Sequence, residues 1–335
     1  MTHRVCVCIV TYDSAADLPG CLAAVAAQDH RPLEVVIVDC ASSDDSVAVA
    51  GEAETGDVSK RVVALAENLG FAGGMNRAFA DSDAPYLLTL NADARPRPDF
   101  VRRLLERIVE DRDDRVGAVT GRLVRPVDGD TRRLDACGMM LTRTWRHLDR
   151  GSGEIDRGQL ERAERVFGAT GAASLFARAA LDDVRFDDLG GESEVFDSRF
   201  HSFREDAELA FRFQERGWEV VYEPRAVAEH RRRVLPDRRR QMPAAINYHS
   251  LKNRYLLRLY HQTSGNFLRT LVPTLWRDLL AFGWVVLAER SSLGAYGWLW
   301  RHRREILARR RFVQQRRTRP PEAVDRWFRH RALPL

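Results

Sequence analysis

The chain has no CxxC pair and an odd number of cysteines: five, at positions 6, 8, 21, 40 and 137 of 335 residues. That pattern offers no disulfide framework and suits a reducing cytoplasm. Cys6 and Cys8 lie in a short apolar run and read as small buried hydrophobes. Long apolar runs are also missing. The longest, Leu279–Ala288, is ten residues between Asp278 and Glu289, short of the roughly 20 needed to cross a bilayer. At the N-terminus, Val5–Val10 is too short for a signal peptide and reads as a strand. No internal repeat is visible. Thr11–Gly20 contains no Lys or Arg, which argues against the basic, glycine-rich signature of a nucleotidyltransferase.

What is present is ordinary in bulk and uneven in charge. At 44% hydrophobic and 30% charged residues, the chain has the composition of a globular protein, long enough for one large α/β domain and an accessory segment. Residues 1–230 hold 29 Lys and Arg against 42 Asp and Glu, a net −13; residues 231–335 hold 24 against 6, a net +18. A basic tail of this kind points to an anionic surface, nucleic acid or membrane.

The first half alternates buried-strand and helix patterns. Val5–Val10 and Leu33–Asp39 are continuous apolar runs, as in strands covered on both faces. Arg61–Leu65, Tyr86–Leu90 and Val116–Val124 are further strands. Helices are expected at Leu18–Gln28, Ser46–Glu54, Met75–Ala80 and Phe100–Asp111, with Gly70–Gly74 as a glycine-rich turn before the third. This βαβα order predicts a mostly parallel sheet with helices on both faces. Asp128–Arg165 reads as a polar excursion. Ala173–Arg178 and Glu219–Tyr222 read as strands, and Asp206–Arg216 as a helix stopped by Gly217.

In such sheets ligands bind beyond the carboxyl ends of the strands. The strand ends carry Thr11-Tyr12-Asp13, Asp39, Asn91-Ala92-Asp93 and His230. Each alone suits a turn, a cap or a solvated side chain. In an extended turn, residues i and i+2 face the same way, so Asn91 and Asp93 can converge. Taken in order, the segments IVTYDS (9–14), VIVDCASSDDS (36–46), ENLGFAGGMNRAF (67–79), LTLNADA (88–94) and FDSRFHSFREDAELAFRFQERGW (196–218) resemble family 2 glycosyltransferases of the GT-A fold, rhamnosyltransferase-like members above all. The resemblance covers about residues 5–260.

That resemblance implies a GT-A catalytic domain at 1–235, with nucleotide-sugar binding in 1–125 and the acceptor side in 126–235. It implies an inverting glycosyltransferase of cell-envelope polysaccharide biosynthesis with a nucleotide-diphosphate sugar donor. Thr11, Tyr12, Asp13 and Asp39 would contact the base or ribose. Asn68, Gly73, Gly74 and Asn76 would lie at the diphosphate or ribose, and Gly171, within Gly168–Ala173, beside the donor sugar. Asn91 and Ala92 complete the donor set. Asp93 and His230 would hold a divalent Mg²⁺ or Mn²⁺, which neutralises charge on the leaving diphosphate. The first position of the family's Asp-x-Asp motif is Asn91 here. Asp206, with Glu205 beside it, would be the carboxylate base that takes the acceptor's proton; acids at a helix start are also favoured by the helix dipole alone. A chain with these motifs but no turnover would be a nucleotide-sugar-binding scaffold.

Leu251–Tyr260 resembles the helix that follows the catalytic core in relatives. The rest of 236–335 is expected to be a basic helical extension. Phe267–Leu287 and Tyr296–Leu307 mix Trp, Leu and Phe with Arg, a pattern suited to interfacial helices on anionic headgroups. The expected partners are therefore a donor nucleotide sugar, a glycan or lipid-linked acceptor and an anionic membrane surface, and not nucleic acid. The expected location is the cytoplasmic face of the membrane, held peripherally. A chain cut near residue 262 is expected to keep nucleotide affinity.

Overall fold

The computed structural model describes residues 3–111, 114–126, 131–187, 193–232 and 243–335. Strand and helix alternate through β1 (Val5–Thr11), α1 (Leu18–Ala26), β2 (Leu33–Asp39), α2 (Ser46–Glu52), β3 (Ser59–Ala64), α3 (Gly70–Ala80) and β4 (Tyr86–Asn91). Next come β5 (Ala94–Pro96), α4 (Phe100–Val109), β6 (Val116–Val124) and four short strands, β7 (Leu134–Ala136), β8 (Met139–Leu141), β9 (His147–Asp149) and β10 (Glu164–Val166). β11 (Ala173–Ala177), α5 (Arg178–Val184), α6 (Glu205–Arg216) and β12 (Glu219–His230) follow. The C-terminal part is α7 (Ala244–His261), α8 (Ser264–Ala288), α9 (Gly294–Arg301), α10 (Arg303–Arg316), α11 (Glu322–Asp325) and β13 (Leu333–Pro334).

The main sheet has the order β13-β10-β12-β6-β11-β4-β1-β2-β3. The β3-β2-β1-β4 half is parallel, β11 runs antiparallel between β4 and β6, and β12 is parallel to β6. Alternation along each strand sets what each residue meets. Val5, Val7 and Ile9 share a core layer with Leu18, Leu22 and Val25 of α1 and Leu104, Leu105 and Ile108 of α4. Cys6 and Cys8 face the opposite layer, with Ala72, Met75 and Phe79 of α3. All five cysteines are buried free thiols.

Several expectations need correction. The Gly70–Gly74 segment is the first part of α3 and not a turn before it. A Cβ at Gly74 would stand 2.8 Å from both Val10 methyls, so the small residue lets the helix lie close on β1. The last long strand runs on to His230. Its pairing with β6 shifts register between Glu223 and Val227, and Pro224 in that interval hides the strand's period. The polar excursion contains β7 to β10. Stretches this short leave no pattern to read.

The C-terminal part also differs from expectation. The boundary near 235 and the Arg run 238–240 lie outside the described residues. From Ala244 on, the chain packs into the catalytic part. Leu256, Leu257, Tyr260, Ile306, Val324 and Trp327 share one core with Trp145, Phe167, Phe200 and Phe211, and β13 pairs with β10. A cut near residue 262 would remove part of this core, so it cannot leave a simply truncated catalytic unit. Trp327→Ala is expected to cost about 3–5 kcal/mol, read as a lowered urea midpoint. An unchanged midpoint would mean that the extension contributes nothing to folding.

α8 corrects the statement that no segment is long enough to cross a bilayer. It has 25 residues and is apolar enough, by length and composition, to do so. Counting unbroken runs stops at Asp278, but the helix does not. Its packed side is polar, with Asn266, Thr270 and Thr274 buried, while Leu268, Val272, Leu275, Trp276, Leu279 and Phe282 are exposed.

Candidate active site

The strand register brings the donor-side residues into one row. Val10 pairs with Asn91, and Thr11 with Asp39, so the carboxyl ends of β4, β1 and β2 lie side by side. Asp39 is buried and well supplied with donors: Thr11 Oγ1 at 2.8 Å, the Ser42 N–H at 2.9 Å and Ser42 Oγ at 2.5 Å. The Asp13 carboxylate accepts from the Ser43 N–H and hydroxyl. Tyr12, between them, is 53% exposed. These contacts tie the two loops into a rigid rim on which one aromatic ring stands out.

The α3 residues are placed differently. Asn68 Oδ1 accepts from the Gly70 N–H at 2.8 Å. The space beside Gly73 is filled by Leu69, and that beside Gly74 by Val10 and Cys40. The Asn76 amide donates to the Phe196 carbonyl and accepts from the Val195 and Phe196 N–H groups. Gly73, Gly74 and Asn76 therefore hold protein against protein. The resemblance implies that they lie at the diphosphate or ribose; the contacts seen at their side-chain positions are with protein.

Asn91, Asp93, Gly171, Glu205, Asp206 and His230 line one cleft of about 1540 Å³; Ala92 packs into the core. Two pairings create this convergence. β5 pairs with the end of β12, His230 opposite Ala94, which carries the imidazole to the motif on β4. His230 Nε2 is 3.2 Å from Asp93 Oδ1 and 3.2 Å from Asn91 Nδ2. Its Nδ1 is 2.7 Å from Asp135 Oδ2. Burial disfavours charge on His230, yet the hydrogen bonds to Asp135 and Asp93 outweigh it and raise the group to about 9. Burial likewise opposes ionisation of Asp135, but His230 and Arg232 hold it below the usual carboxylate range.

A carboxylate and an imidazole on one spot, with the imidazole oriented by a second carboxylate, is donor chemistry that fits a divalent cation. Among the described residues no three His, Cys, Asp or Glu side chains converge on a metal position. By themselves Asp93 and His230 offer two donor side chains; a cation there would need further oxygen ligands, such as phosphate or water.

Across the cleft, Asp206 stands at the start of α6. Gly171 N–H donates to Asp206 Oδ2 at 3.1 Å, and Ala207 N–H to Oδ1 at 2.7 Å. A Cβ on Gly171 would stand 3.1 Å from the Phe71 ring, so a larger residue would crowd this approach. Burial raises Asp206 to about 6 against these hydrogen bonds. Burial, and then the charge of Asp206, push Glu205 well above the carboxylate range, and its buried Oε2 has no hydrogen-bond partner. Burial therefore favours the neutral form of Glu205 more strongly than that of Asp206.

The loop before α6 is strained: His201, Phe203 and Arg204 have φ of 61°, 70° and 73°, a conformation costly for such side chains. It is held from both sides. Asn253 of α7 donates to the Phe200, Ser202 and Phe203 carbonyls at 2.7–2.9 Å. From α3, Ala72 N–H donates to the His201 carbonyl at 3.0 Å. The far side of α6 is pinned by buried ion pairs, Glu208 with Arg212 at 2.6 Å and Glu215 with His261 at 3.0 Å and Arg317 at 2.6 Å. Sequence reasoning missed Asp135, Arg232 and Asn253. Only Asn253 had a signal, its place in the Leu251–Tyr260 helix.

The mostly parallel sheet, with its acidic cleft at the carboxyl edge and antiparallel β11 set between β4 and β6, is that of the GT-A fold. Residues 6–185 match the profile of Glycosyl transferase family 2. The chain belongs to that family and is a glycosyltransferase. Among curated proteins it is 27% identical over 249 residues to an N-acetylglucosaminyl-diphospho-decaprenol L-rhamnosyltransferase of Mycobacterium tuberculosis, covering 69% of this chain and 76% of that one. Among solved structures, it matches a mannosyltransferase from Pyrobaculum calidifontis in complex with GDP-Man and Mn²⁺, with a TM-score of 0.52 and 20% identity over 90% of this chain and 74% of that one. It also matches TarS 1–349 of S. aureus in complex with UDP, with a TM-score of 0.53 and 14% identity over 97% and 90%. These structural likenesses establish the fold.

Proposed function

We propose that this enzyme transfers a sugar, rhamnose from a deoxythymidine-diphosphate donor, with inversion to a lipid-linked diphosphate acceptor in polysaccharide biosynthesis. The observation that carries the reading is the pairing across one cleft of Asp93–His230 with Asp206. One side suits a leaving diphosphate and the other suits a proton acceptor. The rhamnose and the acceptor rest on the 27% identical relative, whose name specifies both.

Asp93 and His230 would hold a divalent cation together with the donor diphosphate. When bound, that cation would supply a Lewis acid for the leaving group. The chain's own residues do the rest. Asp39, Thr11 and Asp13 shape the rim for the nucleoside, with the Tyr12 ring as its exposed surface. Gly171 and Ala207 aim the Asp206 carboxylate. The acceptor hydroxyl oxygen attacks the anomeric carbon as the carbon–oxygen bond to the diphosphate breaks, and its proton passes to Asp206. One displacement without a covalent enzyme intermediate inverts the anomeric centre. Calorimetry with nucleotide sugars, with and without Mg²⁺ or Mn²⁺, tests donor and cation together. Heat with deoxythymidine-diphosphate-rhamnose only when metal is present is the expected result; equal heat from unrelated donors would overturn the assignment.

α8 supports a location at a membrane surface. Its apolar side is exposed, and mid-helix Asp278 is bound to Arg254 and Arg258 of α7. Charges committed to a neighbouring helix suit a helix lying in the interface better than one crossing it. Together with the +18 of residues 231–335, this supports a peripheral protein on an anionic, cytoplasmic leaflet. Trp276→Ser with Leu279→Ser is expected to weaken binding to anionic vesicles by more than about tenfold, from the apolar area withdrawn. The wild-type interaction should also weaken as salt rises. Sedimentation with vesicles reads both, and undiminished binding by the double variant would remove α8 from the interface.

A further inference from the structure

One imidazole in the cleft is not used by the transfer chemistry. His147, on β9, is half-buried and lines the cleft together with Asp149, two residues on and on the same face of the strand. The hairpin that carries it is fixed to the helix bearing the base. In the turn between β8 and β9, Trp145 stacks on Phe211 of α6, with ring centroids 5.5 Å and planes 9° apart. Its indole N–H donates to Thr270 Oγ1 of α8 at 3.0 Å. His147 itself meets the loop before α6, where Arg204 Nη1 is 3.2 Å from His147 Nδ1. Asp149 is paired with Arg232, and burial first, then the charge of Asp149, raise Asp206. His147 therefore stands beside the segment that presents the base.

Arg204 also decides the tautomer. A guanidinium has donors only, so Nδ1 accepts from it and the ring hydrogen is left on Nε2. Burial, and then the charges of Arg204, Arg146 and Arg232, hold His147 well below its ordinary range, which keeps the ring neutral. The Nε2–H has no hydrogen-bond partner among the described residues, and an oxygen of a molecule bound in the cleft would supply one.

We infer, on the transferase reading of this cleft, that His147 donates a hydrogen bond from Nε2 to an oxygen of the acceptor sugar and so helps to select and orient the acceptor. Its place favours the acceptor over the donor. The donor diphosphate belongs at Asp93 and His230, whereas His147 adjoins Arg204, two residues before the carboxylate that meets the acceptor hydroxyl. A neutral N–H close to three arginine charges suits an electron-rich oxygen and disfavours an ammonium group at the same position.

The test uses the full-length protein without donor, so that turnover does not enter. Undecyl diphospho-N-acetylglucosamine, as acceptor probe, is titrated calorimetrically into wild type, His147→Asn and His147→Gln. The shorter amide of asparagine reaches the Nδ1 position, where its oxygen can still accept from Arg204, and it removes the cleft-facing donor. The longer amide of glutamine carries an N–H to the Nε2 position. His147→Asn is expected to weaken probe binding about tenfold, and His147→Gln to recover most of that loss. The urea midpoint and the affinity for deoxythymidine diphosphate with Mg²⁺ should stay at wild-type values in both variants. No binding of the probe by wild type, or equal binding by His147→Asn, overturns the contact. Equal losses in both variants also overturn it and leave His147 a support for Arg204. Transfer from deoxythymidine-diphosphate-rhamnose is assayed separately. Binding that depends on His147 in a protein that transfers no sugar retains the contact and discards the transferase reading; transfer with binding independent of His147 discards the contact alone.

Discussion

Asp206→Asn is expected to lower the transfer rate at saturating substrates by about 10²–10⁴-fold while donor affinity stays at the wild-type value. The amide keeps the size of the carboxylate and an oxygen that can accept from Gly171 N–H, at the loss of the bond from Ala207 N–H, so the lost rate falls mainly on the proton-accepting step. Glu205→Gln should cost far less, because burial and the charge of Asp206 already favour the neutral form of Glu205. A large loss from Glu205→Gln with Asp206→Asn near wild type would move the base to Glu205. The pH profile is a second readout. Asp206 is raised to about 6, and only its ionised form accepts a proton. The rate should therefore rise as pH increases through about 6 and level off above it. A profile flat from pH 5 to 8 would remove Asp206 from the rate-limiting chemistry.

Asp93→Ala is expected to reduce metal-dependent donor affinity by roughly 10²-fold or more, since a Lewis-acid contact is worth several kcal/mol. In excess chelator the wild type should fall to the level of the variant, because both then lack the cation. The variant should keep its fold, as Asp93 lies at a cleft edge and not in the core. Donor calorimetry with and without Mn²⁺ reads the difference. Full affinity in the variant with metal present, or full turnover in chelator, would show that the diphosphate is neutralised by protein cations alone.

The two variants act on residues that were legible to different degrees. Asp93 and Asp206 could be read because they sit within long co-linear segments, and a strand end and a helix start are recognisable from local pattern. From the residues His230 is visible as one more polar strand end, and only the resemblance pairs it with Asp93. Its partner Asp135 was not visible at all, because it lies in β7, a three-residue strand in a polar stretch. The glycines of α3 are a different case. Their small size points to a close approach, and on the Cβ side Val10, Cys40 and Leu69 make it. A missing Cβ says that something approaches, not what approaches.

From its sequence alone this chain could be read as a family 2 glycosyltransferase with a parallel donor-binding half, and its candidate chemistry could be confined to a few acids and one histidine. Buried strands, helix periodicity and motif order are local properties of the chain, so they survive without coordinates. Tertiary structure alone decided how strongly the neutral form of each carboxyl is favoured, since that depends on burial and on a neighbour's charge. It also brought His230 to Asp93 through the pairing of β12 with β5, and stabilised the strained loop before α6 with an asparagine some fifty residues downstream. Finally, it showed that the C-terminal part belongs to the core and carries an exposed apolar helix. Which face of a helix is covered depends on what folds against it, and no local pattern contains that neighbour.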